Sequence, residues 1–236
     1  VYKRQGLMIA GEAALSNWDA GMDMYIYGKL GNLTMTKEGI NVLMTNLTGK
    51  VPPILQRLDY IRFNGEAAGY LHDLTLTGLF HTGAGMVKTD VMMSIDEQSM
   101  SRTYSGSVAS ADLDLGKLLN QEKKFGKVDF NVELKGFNYK NRYPESYIKG
   151  IISSFEYSQY QYENIMLDGV YKDGGFNGRL SMDDANGSVQ IDGNFNVAKT
   201  IPDFNLKASV KNLRPHDLHL SDKYENASIS LGLTCL

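Results

Sequence analysis

The chain has 236 residues, 42% of them hydrophobic, and a formal net charge of −3. That much apolar material excludes a disordered chain, and the charge balance removes the broad basic field of a nucleic-acid binder. The single cysteine, Cys235, forbids an internal disulfide, and no run approaches the ~20 apolar residues of a membrane-spanning helix.

In chain order, Pro52-Pro53-Ile54-Leu55-Gln56-Arg57-Leu58 predicts a short helical turn opened by proline. Strand periodicity follows. Leu74 and Leu76 alternate with threonines, and Val91, Met93 and Ile95 make a second run. Asp114 to Leu119 predicts another short helix with Asp114 as its cap, and the Gln121-Glu122-Lys123-Lys124 stretch reads as a charged loop. From Val128 to Lys135, four apolar residues alternate with four polar ones. The segments Phe176 to Met182, Val189 to Val197 and Phe204 to Val210 repeat that pattern and predict a three-strand meander. Lys172-Asp173-Gly174-Gly175 and Asp183-Asp184-Ala185-Asn186-Gly187 are hairpin turns, since Asn, Asp and Gly tolerate positive φ. Pro215-His216-Asp217-Leu218 predicts a third helical turn, and a last alternating run spans Ser228 to Leu236. Each run has one apolar and one polar face, the habit of antiparallel sheets.

A loose repeat threads these strands. Glycine stands two residues after an apolar or aromatic residue in Phe63-Asn64-Gly65, Leu76-Thr77-Gly78, Tyr104-Ser105-Gly106, Ile148-Lys149-Gly150, Leu167-Asp168-Gly169, Phe176-Asn177-Gly178 and Ile191-Asp192-Gly193. Recurring glycines would bend a long sheet steadily; equally, glycine is frequent in β proteins.

The search for chemistry finds no catalytic constellation, so the chain reads as a non-enzyme. It has no nucleophile elbow and no phosphate-cradling loop. His216, Asp217 and His219 lie close together but lack the further ligands of a zinc site, and the Asp183 to Gly187 turn lacks the following acid of a calcium loop. No metal, cofactor or nucleic acid is expected. Tyr157, Tyr160, Tyr162 and Tyr171 would serve a carbohydrate-binding or adhesive β module if exposed; as cross-strand pairs they belong to a half-buried face.

The segments Asp112 to Asn120, Phe125 to Gly136, Tyr147 to Tyr157, Tyr160 to Gly169 and Phe176 to Asp184 occur in an order that resembles the TamB-like proteins of the AsmA-like superfamily. The likeness covers roughly residues 60 to 225. It implies a periplasmic segment of an inner-membrane-anchored protein of a Gram-negative bacterium. It also implies an elongated, curved antiparallel sheet, folded like a half-pipe, with an apolar lining. Residues 1–236 then form one continuous β-repeat segment of a longer protein, with a weak division possible near 120–126, and both ends read as cuts. Such proteins are implicated in moving phospholipid between the inner and outer membranes and in outer-membrane protein assembly with a TamA-like barrel, which other parts of the parent chain would meet.

On that reading the groove would be lined by Val128, Phe130, Val132, Leu134, Ile165, Leu167, Phe176, Leu180, Ile191, Phe195, Phe204 and Leu206. Alternation alone allows these residues to form a sealed sandwich core or an open groove; the resemblance favours the groove. The unpaired edges of an open sheet would also allow the fragment to associate with itself.

Overall fold

The computed structural model describes residues 2–4, 6–17, 23–96, 98–99, 101–138, 145–196, 203–223 and 226–235. Val197 and Leu236, the ends of two alternating runs, lie outside them. Alternation becomes strand almost throughout. The first seven strands are β1 (Tyr2–Arg4), β2 (Leu7–Ser16), β3 (Tyr25–Thr36), β4 (Tyr60–Tyr70), β5 (Asp73–Thr82), β6 (Gly85–Asp96) and β7 (Ser101–Asp114). They are followed by β8 (Phe125–Asn138), β9 (Glu145–Tyr157), β10 (Tyr160–Lys172), β11 (Gly175–Asp184), β12 (Gly187–Asn196), β13 (Asp203–Leu213) and β14 (Ile229–Cys235). Each strand pairs antiparallel with the next, in chain order, so one open meander of 14 strands results. It passes through residues 120–126 without a break, because β7 pairs with β8 from Arg102 opposite Asn138 to Asp114 opposite Lys127.

The molecule is a single layer. Its accessible surface is 15083 Å², against ~10,600 Å² for a compact protein of 26.2 kDa. With strands ~4.8 Å apart, the sheet extends ~60 Å across its 14 strands.

The strand connections alternate between the two ends of the strands. One end, the turn rim, carries the tight turns at 71–72 and 173–174, the latter with Asp173 and Gly174 at φ 50° and 77°. The other end, the helix rim, carries three helices: α1 (Lys37–Thr48), α2 (Pro53–Gln56) and α3 (Leu115–Leu119). Proline opens α2, and the Asp114 side chain caps α3 by accepting the Lys117 N–H at 2.8 Å. Helix α1 was not legible as one. It closes on Gly49 in the left-handed conformation, φ 74°, whose N–H donates to Thr45 O at 2.9 Å. Residues 215–219 form turns, held by hydrogen bonds from Leu218 N–H to Arg214 O and from His219 N–H to His216 O, where a third helical turn is expected.

The buried core lies along the helix rim. Met35, Ile61, Leu113 and Val128, on the strand ends, close against Ile40 of α1, Leu58, and Ala84 of the β5–β6 turn. Polar ties hold the cover in place. Arg57 donates to Leu118 O, and the Lys117 ammonium reaches Gly83 O at 3.0 Å and Asp59 at 3.4 Å.

Candidate functional site

Cross-strand partners share a face, so the register decides which side chains stand together. One row across the sheet reads Gly65, Gly78, Thr89, Val108, Val132, Gly150, Leu167, Leu180, Ile191, Ala208 and Leu233. The next row toward the turn rim reads Leu76, Val91, Gly106, Leu134, Ile148, Gly169, Gly178, Gly193 and Leu206. At the turn rim stand Met93, Tyr104, Gly136, Ser146, Tyr171, Phe176, Phe195 and Phe204. Toward the helix rim stand Phe63, Phe80, Val87, Ser110, Phe130, Ile152, Ile165, Met182, Val189 and Val210. Eleven of the twelve predicted lining residues therefore stand in these rows, on one apolar face that crosses the sheet. Val128 departs from its expected role. It is only 5% exposed, inside the core beneath the helices, and cannot line an open surface.

The seven repeated glycines also fall on this face, in its two central rows. Modest strand propensity does not explain their placement; space does. A Cβ at Gly65, Gly78, Gly106, Gly150, Gly169, Gly178 or Gly193 would come within 2.0–2.6 Å of backbone on the neighbouring strand. Gly106 and Gly193 also hold φ 142° in mid-strand, a conformation closed to other residues. With no room for Cβ atoms on the apolar side, these positions admit only glycine, the residue at which a curved sheet bends.

The opposite face is a charge ladder. Glu12, Lys29 and Glu66 stand opposite one another in turn, and farther along come Glu133, Lys149, Asp168, Arg179, Asp192 and Lys207. Arg179 pairs with Asp192 at 2.8 Å and Lys149 with Asp168 at 3.5 Å. Each exposed pair adds little alone, but the alternation fixes which face meets water. Depressions of about 410–530 Å³ open on this polar side. The first owes its shape to β7, whose small Thr103 and Ser105 lie between Met92 of β6 and Lys135 and Phe137 of β8. None of this ladder was foreseen; the signal available was the charge beside glycine in Lys149-Gly150, Asp168-Gly169 and Asp192-Gly193.

Three of the four tyrosines, Tyr157, Tyr160 and Tyr162, form a packed cluster. Tyr162 is buried and donates to Leu218 O at 2.7 Å, while Tyr157 packs on Phe125 and Phe155. Tyr160 meets Tyr162 edge-on and donates to Asp184. Burial, with help from the Asp184 carboxylate, pushes the Tyr160 hydroxyl up to about 12. Tyr171 sits apart, at the turn rim. Of the candidate metal ligands, His219 bonds Ser158 O at 2.9 Å and His216 pairs with Asp217. Among the described residues no group of three ligating side chains converges, and no helix is long and apolar enough to cross a membrane. Thr89 Oγ1 is buried in the middle of the apolar face without a hydrogen-bond partner among the described residues.

No family model matches the chain, and no curated protein or solved structure matches it. The TamB-like expectation therefore rests on the residue patterns alone.

Proposed function

We propose that the chain is a periplasmic segment of a TamB-like envelope protein. Its apolar face shelters phospholipid acyl chains in transit between the inner and outer membranes, in a protein that also supports outer-membrane protein assembly. What supports the reading is one observation: among the described residues, the apolar face crosses the sheet without a second layer of strands over it. An apolar face open to water binds something apolar. Each CH₂ it buries contributes ~0.8 kcal/mol, so one long acyl chain gains roughly 10 kcal/mol before ordering costs. The rows offer similar contacts along ~60 Å, so a chain can slide along them with small barriers. Neither cofactor nor covalent chemistry is needed. The sealed-sandwich alternative would need a second sheet, and the sugar-binding alternative would need tyrosines that are not packed together.

The test is mass spectrometry of the purified chain for co-purifying phospholipid, repeated after delipidation and exposure to phospholipid vesicles. Phospholipid recovered in both preparations supports the reading; a chain that stays lipid-free in both removes it.

A further inference from the structure

The charged side of the sheet carries rows of two kinds. The charge ladder is paired within itself: Lys149 meets Asp168 at 3.5 Å and Arg179 meets Asp192 at 2.8 Å. The next row, on the side of the 173–174 turn, runs Lys135, Tyr147, Val170, Asn177, Asn194 and Asn205 on β8 to β13, and after Lys135 it holds no charge. The three asparagines are exposed and stand in register on adjacent strands. Among the described residues their side-chain amides make no hydrogen bond. Strands are poor in asparagine, so strand formation does not account for three in line. Tyr147 is 37% exposed, and its hydroxyl donates to Asp168 Oδ1 at 2.9 Å, so the ring leans across the sheet toward β10. At that end the row meets the depression of about 410 Å³ between Met92, Phe137 and Tyr147.

We infer that this row binds an extended, neutral β-1,4-linked glycan laid across the strands. The row repeats every ~4.8 Å, close to the length of one sugar in such a chain, so successive sugars meet successive strands. Each amide both donates and accepts, which matches a sugar hydroxyl and needs no charge on the ligand. Tyr147 supplies a ring on which the apolar side of a pyranose packs while its hydroxyl stays with Asp168. The six strands span ~24 Å, so contact grows with the glycan up to about five sugars. This surface lies on the opposite side of the sheet from the acyl-chain face, and the inference does not depend on the lipid reading. It is also separate from Tyr157, Tyr160 and Tyr162, which share the apolar face with Phe125 and Phe155.

Isothermal titration calorimetry of the whole chain tests it with chitohexaose, cellohexaose and, as an α-linked control, maltohexaose. A β-linked hexamer should bind about tenfold or more tightly than its own trimer and than maltohexaose. Preference for chitohexaose assigns the N-acetylglucosamine polymer, preference for cellohexaose the glucose polymer, and equal affinity the shared β-1,4 backbone. Asn177→Ala with Asn194→Ala, and Tyr147→Ala alone, should each weaken binding about tenfold or more. Gln190→Ala, two rows away on the same side, should leave it unchanged. Tyr147→Phe keeps the ring and should retain most of the affinity, which separates lost stacking from lost fold. No binding of either β-linked hexamer, equal binding of maltohexaose, or binding that survives the row substitutions would overturn the inference while leaving the lipid reading untouched.

Discussion

The hydroxyls of Tyr104 on β7 and Ser146 on β9 hydrogen-bond to each other across Gly136 of β8, the strand between them. The ring crosses the sheet where Gly136 presents bare backbone: a Cβ there would lie 2.4 Å from the Tyr104 hydroxyl and 2.6 Å from Glu145 O. A residue without a side chain thus lets an aromatic one lie flat on the apolar face. Gly136→Ala should displace the ring and destabilise the sheet by about 1–3 kcal/mol. Tyr104→Phe, which removes only the hydroxyl, should cost about 1 kcal/mol. Urea unfolding of both variants gives the comparison, and equal losses would contradict this account.

The mid-strand bends should resist side chains more strongly than ordinary strand glycines do. At Gly193 the φ of 142° and the Asn205 carbonyl, 2.3 Å from a Cβ position, act together. Gly193→Ala should lose about 1–3 kcal/mol from the backbone conformation alone, plus the clash. Gly232, where a Cβ would meet nothing within 4 Å, is the control. Gly232→Ala should stay within about 0.5 kcal/mol of the parent.

These two residues also mark what the sequence can and cannot reveal. Alternation at Val128 to Lys135 and Phe176 to Val210 exposed the strands and the apolar face, because period 2 is a local property. The repeated glycines were visible as a pattern. Their alignment into two neighbouring rows was not, because register depends on turn lengths and bulges, such as those at Asp112 and Asn212. Val128 was misplaced for a related reason. Nothing in its own strand indicates that α3 and the β5–β6 turn cover that end. Helix α1 was missed because Asn, Thr and Gly interrupt its apolar residues, so tertiary packing on β3 and β4 decides it more than propensity does.

Alkaline pH should weaken the aromatic cluster in a defined window. Tyr160 is raised from about 10 to about 12 in the folded chain, so the folded state holds its proton more tightly. Its stabilising contribution is complete below pH 10 and disappears as the pH rises through 12. Tyr162 is raised in the same direction, chiefly by burial. Stability measured from pH 9 to 12 should therefore fall more steeply in the parent than in Tyr160→Phe. Identical slopes would contradict the assignment.

Among the described residues, β14 pairs only with β13, and its Leu231 and Leu233 are half exposed. An edge of that kind is a template for another strand. The purified chain should self-associate as concentration rises in sedimentation experiments, and Leu231→Lys with Leu233→Lys should shift it toward monomer. A monodisperse monomer at high concentration in the parent would contradict this.

The central claim is that the apolar face is open where the helices do not reach. Photo-crosslinking from single positions in the presence of phospholipid tests it most directly, with probes at Leu180 and Leu206 on the open face and at Val128 beneath the helices. The account predicts lipid adducts from 180 and 206 and none from 128. Adducts to protein alone at all three positions would contradict it.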